Sequence, residues 1–398
     1  MQDSLLIVIL AILSMMGALG IDTYLPSFPS IAITFAVSPV VVQQTLSVFV
    51  LSMAAMMLFY GTLSDSFGRR PVLLVSLALC AITSFACALA TSAGMLIFLR
   101  ALQGLSAGAG SVVGRAVVQD HFKGHDAHRA TAIMTMVFGL APVIAPVIGG
   151  WLETTLGWRS VFVFLGGIAV LVFIACYRLL PETLPRERRT PFALRPIAAN
   201  YLLCVKHSRF ALMSLSIALM FSGIPLYIGS ASAFVMGILH QPETAFAWLF
   251  TPMVGGLILG SGLASRFARR VAPARMMLMG FVIALSGVAM GVIYTSMYVA
   301  RVPYAVMPIM VYTFGLALVS PGMMVRTLDL FPKMSGLAAS MQGFIQMLLF
   351  SIVAGLVSPM LFDSALKLSL GHAAGVAAGA ALWAFANRPT SGQVHSPR

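Results

Sequence analysis

"GTLSDSFGRRPV", residues 61–72, places Asp65, Arg69 and Arg70 between two long apolar runs, punctuated by Gly61, Gly68 and Pro71. Charged residues make up only 9% of this chain, so the cluster stands out. Further along, "SGLASRFARRVA", residues 261–272, repeats the phrase with Leu263, Phe267, Arg269 and Arg270 in register. Ser265 stands where the first copy has its aspartate. A chain that writes one phrase twice, each time after an apolar run, is built from two copies of one unit.

The composition says what kind of unit. Hydrophobic residues are 60% of 398, whereas a soluble domain is about half apolar and about a quarter charged. This predicts an all-α membrane protein. Apolar segments of about 20 residues, enough to cross about 30 Å of hydrocarbon, fall near 5–25, 42–63, 72–90, 94–117, 131–152 and 160–180. They resume near 209–230, 244–264, 275–298, 303–325, 335–360 and 364–386. Twelve transmembrane helices in two six-helix repeats are expected: bundles over 1–180 and 209–388, a linker over 181–208 with a short surface helix, and a disordered tail over 389–398. The N-terminal stretch lacks a basic n-region and reads as a first transmembrane helix, not a removable signal. Cys80, Cys87, Cys176 and Cys204 have no metal spacing and read as small apolar residues.

The net charge of +13 would suggest nucleic acid in a soluble protein. Topology accounts for it instead. With the N-terminus inside, 19 Lys and Arg fall in cytoplasmic loops and only Arg159, Arg301 and Lys367 in outer loops. The positive-inside rule then puts both termini in the cytoplasm and removes nucleic acid as a partner. Two parallel six-helix repeats joined by a cytoplasmic loop describe a transporter with its substrate site between the halves.

The motifs narrow this. Gly61-x-Leu63-x-Asp65-x-x-Gly68-Arg69-Arg70 resembles the loop signature after the second helix of the major facilitator superfamily. Arg100-x-x-Gln103-Gly104 resembles a motif of its proton-coupled members, and "APVIAPVIGG" (141–150) resembles the antiporter motif of its drug exporters. "DTYLP" (22–26), "GWR" (157–159) and "LPETL" (180–184) are similar to the Bcr/CflA group of drug/proton antiporters. Two departures are visible: Ala145 stands where that motif usually has Gly, and residues 13–18 hold no second acid.

Of eleven acids in the chain, only Asp22 is expected at membrane depth, where an acid is functional by default. With helix 1 running outward it falls in the outer third, at the depth of Arg100. The competing reading ends helix 1 at Asp22 among the outer headgroups. The resemblance implies that Asp22 and Arg100 couple protons to transport. It also implies that Asp65 latches onto a helix of the other half, with Gly61, Gly68, Arg69 and Arg70 completing the switch. Pro142, Pro146, Gly149 and Gly150 are expected to bend the fifth helix and let it approach a partner closely. Arg115 is expected to pair with Asp120 or a lipid phosphate. Tyr24, Gln103, Phe138 and Tyr227 are the candidate cavity residues. "HFKGHDAH", with His121, His125 and His128, lies in a loop without cysteine and is not read as a metal site, and "GAGSVVG" (108–114) reads as close helix packing, not a nucleotide loop. No cofactor is expected.

The implied function is export of small lipophilic compounds in exchange for protons, by a monomer in the bacterial inner membrane. A metabolite exporter or importer on the same fold is the near alternative. A membrane enzyme or sensor is the distant one, and an enzyme would need several acids, His or Cys at one depth.

Overall fold

A computed structural model describes residues 2–267 and 270–387. Arg269 of the second copy, residue 388 and the tail 389–398 lie outside the described residues. Among the described residues, eleven helices are long and apolar enough to cross a membrane. The crossing expected at 209–230 is the exception, because it is broken into Ser208–Met220, Gly223–Gly229 and a π-helical turn, Ala233–Ile238. Pro225 cannot donate to the Phe221 carbonyl four residues back, and the chain breaks there. Twelve crossings result: helices 1 to 6 in one half, 7 to 12 in the other.

Helix 1 corrects its expected boundary. It runs Gln2–Asp22, turns through Leu25–Ser27, and continues as Phe28–Phe35 instead of stopping near 25. Pro26 removes the N–H that the Asp22 carbonyl needs, and Pro29 does the same for Leu25. The break therefore falls at Asp22, inside a span of 33 residues (Asp3–Phe35). Asp22 ends the first helical segment but lies within the crossing, not at its outer end.

The other crossings of the first half are helix 2 (Pro39–Phe67), helix 3 (Arg69–Ala88), helix 4 (Ala93–Ala107 and Ala109–His121), helix 5 (Gly124–Leu156) and helix 6 (Trp158–Leu179). Ser92 caps helix 4 by accepting a hydrogen bond from the Met95 N–H at 3.2 Å. Backbones pack closely where glycine removes the side chain. A methyl added at Gly104 would strike the Phe49 carbonyl, and one at Gly110 the Leu13 carbonyl. The "GAGSVVG" stretch is thus a packing surface for helix 1. The linker holds the expected surface helix, Leu194–Lys206, which meets helix 7 at 85°.

In the second half, helix 8 is Ala247–Phe267, helix 9 Pro273–Met297, helix 10 Met307–Leu328 and helix 12 Ala365–Ala386. Helix 11 runs Ser335–Ile352, then through a π-helical turn, Val353–Val357, into Ser358–Leu361. The halves meet where helix 2 lies along helix 11 and helix 5 along helix 8.

The hydrogen bonds between halves gather at one end. Gln43 Nε2 donates to the carbonyls of Gly229 (2.7 Å) and Ala354 (2.5 Å), and Gln44 Nε2 to that of Gly355 (2.8 Å). Ser47 Oγ donates to the Ser351 carbonyl at 2.9 Å. The carbonyls of Ala354 and Gly355 lie in the π-turn of helix 11, and that of Gly229 ends the middle segment of helix 7. All lie at the end remote from the linker. Among the described residues no hydrogen bond or ion pair joins the halves at the linker end.

Candidate functional site

The break in helix 1 exposes the logic of the first half. Residues 20 and 24 are one turn apart and share a face, whereas residue 22 points the opposite way. Arg100, fully buried on helix 4, reaches that shared face. Its Nη2 donates to the Gly20 carbonyl at 2.8 Å and its Nη1 to Gln103 Oε1 at 2.5 Å. The guanidinium sits over the rings of Tyr24 (4.2 Å) and Phe49 (4.0 Å). Gln103 in turn donates to Ser84 Oγ at 2.7 Å.

Asp22 takes no part in this network. It is 2% exposed, and among the described residues Oδ1 has no hydrogen-bond partner and no cation is close enough to form an ion pair. Arg100 bonds at the residues on either side of Asp22, so the two stand at one level, but they do not pair directly because the helix turns them to opposite faces.

Helix 5 lies against this break. Both Pro142 and Pro146 sit inside the helix, which runs unbroken from Gly124 to Leu156. The glycines are contact points. A methyl on Gly149 would strike the Thr23 carbonyl, next to Asp22, and one on Gly150 would strike the Glu243 carbonyl across the interface. One turn further, Glu153 is 8% exposed and accepts hydrogen bonds from Ser27 Oγ (2.5 Å) and Ser30 Oγ. Sequence reading had placed Glu153 outside the membrane-depth set, and only the extension of helix 1 supplies its partners. Partial burial and the nearby Glu153 carboxylate push the pKa of Glu243, in the loop before helix 8, up from its ordinary value.

The helix 2–3 loop forms a second centre. Arg69 is 8% exposed and bonds Asp65 Oδ1 at 2.5 Å and Asp120 Oδ2 at 3.0 Å. Its backbone N–H donates to Glu182 Oε1 at 3.0 Å. Gly68 has φ +101°, and a methyl there would strike the Glu182 carboxylate, so both conformation and space require glycine. The Thr190 N–H donates to the Asp65 carbonyl at 3.2 Å. Asp65 therefore bonds only to its own half and the linker. Arg70 donates to the Tyr177 carbonyl at 2.5 Å. Asp120 is taken by Arg69, which corrects the expected Arg115–Asp120 pair: Arg115 instead donates to the Ser111 carbonyl at 2.8 Å. Gly61 faces open space.

Three of the four cavity candidates are buried inside a bundle. Tyr24 is closed in by Arg100 and by Thr45, 3.0 Å from its hydroxyl, and Gln103 serves Arg100. Tyr227 packs edge-on against Phe234 and His372 in the second half. Only Phe138, 46% exposed, is open. His372 was missed by sequence reading although it is a lone imidazole in a greasy helix. It is 3% exposed, lies 4.3 Å from the Tyr312 ring, and its Nε2 has no partner. No group of His, Cys, Asp or Glu among the described residues could hold a metal.

The family model described as Major Facilitator Superfamily matches residues 10–359. The chain belongs to the major facilitator superfamily. It is 31% identical over 360 residues to a bicyclomycin resistance protein homolog of Haemophilus influenzae, covering 90% of each chain. It is 26% identical over 336 residues to the multidrug transporter MdfA of Edwardsiella piscicida, covering 84% of this chain and 81% of that one. Among solved structures it is similar to a bacterial homolog of the human lysosomal transporter Spinster, with TM-score 0.72 and 16% identity. That match covers 97% of this chain and 96% of the other. The superfamily is one of transporters, so this is a multi-pass membrane transporter, and the enzyme and sensor readings fall away.

Proposed function

We propose that this transporter exports small lipophilic compounds across the bacterial inner membrane in exchange for protons, as a monomer with both termini in the cytoplasm. The relatives carry bicyclomycin resistance and multidrug transport in their names. The 19-to-3 distribution of Lys and Arg supports the orientation, which makes the linker end cytoplasmic.

The observation that carries the reading is Asp22, buried and unpaired at a break within a crossing. A carboxyl without partners is stable in such surroundings only when neutral. Asp22 therefore carries the proton in this state, where bonds between the halves close the outer end. Movement of helix 5, which touches Thr23 through Gly149 and the other half through Gly150, links the state of Asp22 to the outer contact. Arg100 acts by fixing the helix 1 break through Gly20 and Tyr24, not by pairing with the acid. Asp65 stays with Arg69 while the cytoplasmic side is open and engages the second half when that side closes. The membrane potential supplies about 2.3 kcal/mol per charge per 100 mV. Substrate enters between the halves near Phe138.

The test is proton release from purified, detergent-solubilised protein on adding a lipophilic antibiotic or dye. The parent should release protons and Asp22→Asn should not, although it still binds the compound. An Asp22→Asn protein that releases protons like the parent would place the coupling acid elsewhere.

A further inference from the structure

The linker and the helix 2–3 loop together enclose a cavity of about 440 Å³, lined by Arg70, Pro71, Glu182, Leu184, Pro185, Arg186 and Arg189. Its three guanidiniums face one carboxylate. Glu182 is already engaged, lying 3.5 Å from Arg189 and accepting the N–H groups of Arg69 and Leu184. Arg186 is exposed and its side chain makes no hydrogen bond or ion pair. Arg70 uses Nη2 on the Tyr177 carbonyl, and its Nε is without a partner, as is that of Arg189. Those two Nε atoms are buried, and the wall carries an excess positive charge with the exposed Arg186 guanidinium open to an anion.

The apolar surroundings say what kind of anion fits. Pro71, on the cavity wall, begins an exposed apolar stripe that climbs helix 3 through Val75 and Ile82 to Phe85 and Leu89. Tyr177, Ile174 and Leu171 expose a matching face on helix 6, which packs against helix 3. A basic cavity at the foot of an apolar lane takes an amphiphile: charge below, hydrocarbon above.

We propose that this cavity binds the phosphate headgroup of an anionic phospholipid, with an acyl chain along helices 3 and 6. Basic pockets at the cytoplasmic ends of transmembrane helices bind such headgroups, each Lys or Arg contributing on the order of 1 kcal/mol. The guanidinium fork matches phosphate oxygens two at a time. Because Arg70 adjoins Arg69, an occupied cavity rigidifies the loop that holds Asp65. The inference concerns lipid and holds whatever the transported compound is.

The probe is phosphatidylglycerol, added to delipidated, detergent-solubilised full-length protein and read by native mass spectrometry and by thermal unfolding. Phosphatidylcholine and inorganic phosphate serve as the other arms. The parent should retain phosphatidylglycerol and melt at higher temperature with it, and neither other arm should do this. Arg186→Gln, which breaks no bond in the fold, should weaken binding roughly 5-fold, and Arg186→Gln with Arg189→Gln roughly 30-fold. Arg275→Gln with Arg326→Gln, an equal charge loss in the second half, should leave binding within about 2-fold. Equal losses in both pairs, or parental binding by the first, would overturn the site. Equal protection by inorganic phosphate would overturn the lipid assignment.

Discussion

The two copies of the opening phrase look alike in sequence and behave differently in space. In the first, Arg69 is drawn into the protein by Asp65 and Asp120, Glu182 caps the start of helix 3, and the linker runs back over Gly68. In the second, Ser265 merely bonds the Gly262 carbonyl of its own helix, and Arg266 and Arg270 stand exposed without ion pairs among the described residues. The same asymmetry runs through the bundle interiors. The first half buries a permanent cation, Arg100, with acceptors and two rings around it, whereas the second buries His372 between rings with its Nε2 unanswered. Arginines set topology by being on the right side of the membrane. They form a buried network only where acids from other elements converge on them.

The strongest way to break this comparison is to remove one arginine from each copy. Arg69→Ala leaves Asp65 and Asp120 facing each other without a cation and should cost about 2 kcal/mol, the low end for a broken buried pair since both acids are partly exposed. Transport should fall to background, while Arg270→Ala stays near parental in both assays. Unfolding in detergent and dye efflux are the readouts, and similar losses for both would mean the first network is surface charge. Glycine sharpens the contrast next. Gly68→Ala combines a left-handed φ with a clash against Glu182 and should destabilise by about 1–3 kcal/mol, whereas a methyl on Gly262 meets nothing and Gly262→Ala should be neutral or slightly stabilising.

Smaller effects follow for the acids. Asp65→Asn keeps Arg69 paired with Asp120, so insertion should survive and transport should drop several-fold, about 1 kcal/mol in the switching step. Ser265→Asp should change transport by less than about 2-fold, since no partner waits for it; a large loss there would mean the second loop is also a switch. The mildest test lies at the outer contact. Closure brings Glu243 near Glu153 and raises its pKa, so neutral Glu243 favours closure, and that preference is present at low pH and lost as pH rises through the raised value. Glu243→Gln should make accessibility of a reporter cysteine in the outer loops less dependent on pH. An unchanged pH profile would show that the two acids do not sense each other.

Much of this was legible beforehand. The hydropathy pattern, the repeat and the motifs carried the twelve crossings, the halves and the superfamily, because membrane insertion is a one-dimensional sorting of apolar length and flanking charge. The shared depth of Asp22 and Arg100 was legible too, by counting 1.5 Å per residue. Even their opposite facing was present in the spacing of Gly20, Asp22 and Tyr24.

What sequence could not decide were contacts between segments far apart in the chain. Helix 1 continues past Pro26 and Pro29 because helix 5 is there to pack on it and Glu153 to hold Ser27 and Ser30. Tyr24, Gln103 and Tyr227 had the chemistry of cavity residues, and packing turned them into interior supports. The meaning of "LPETL" depended on Gly68 lying beneath Glu182, more than a hundred residues away in the chain. Sequence determined which residues enter the membrane, since water and lipid impose that term on each segment separately. Which acid stays alone and which meets an arginine was set only by tertiary structure, because a charge is satisfied within a few ångströms and the partner comes from another helix.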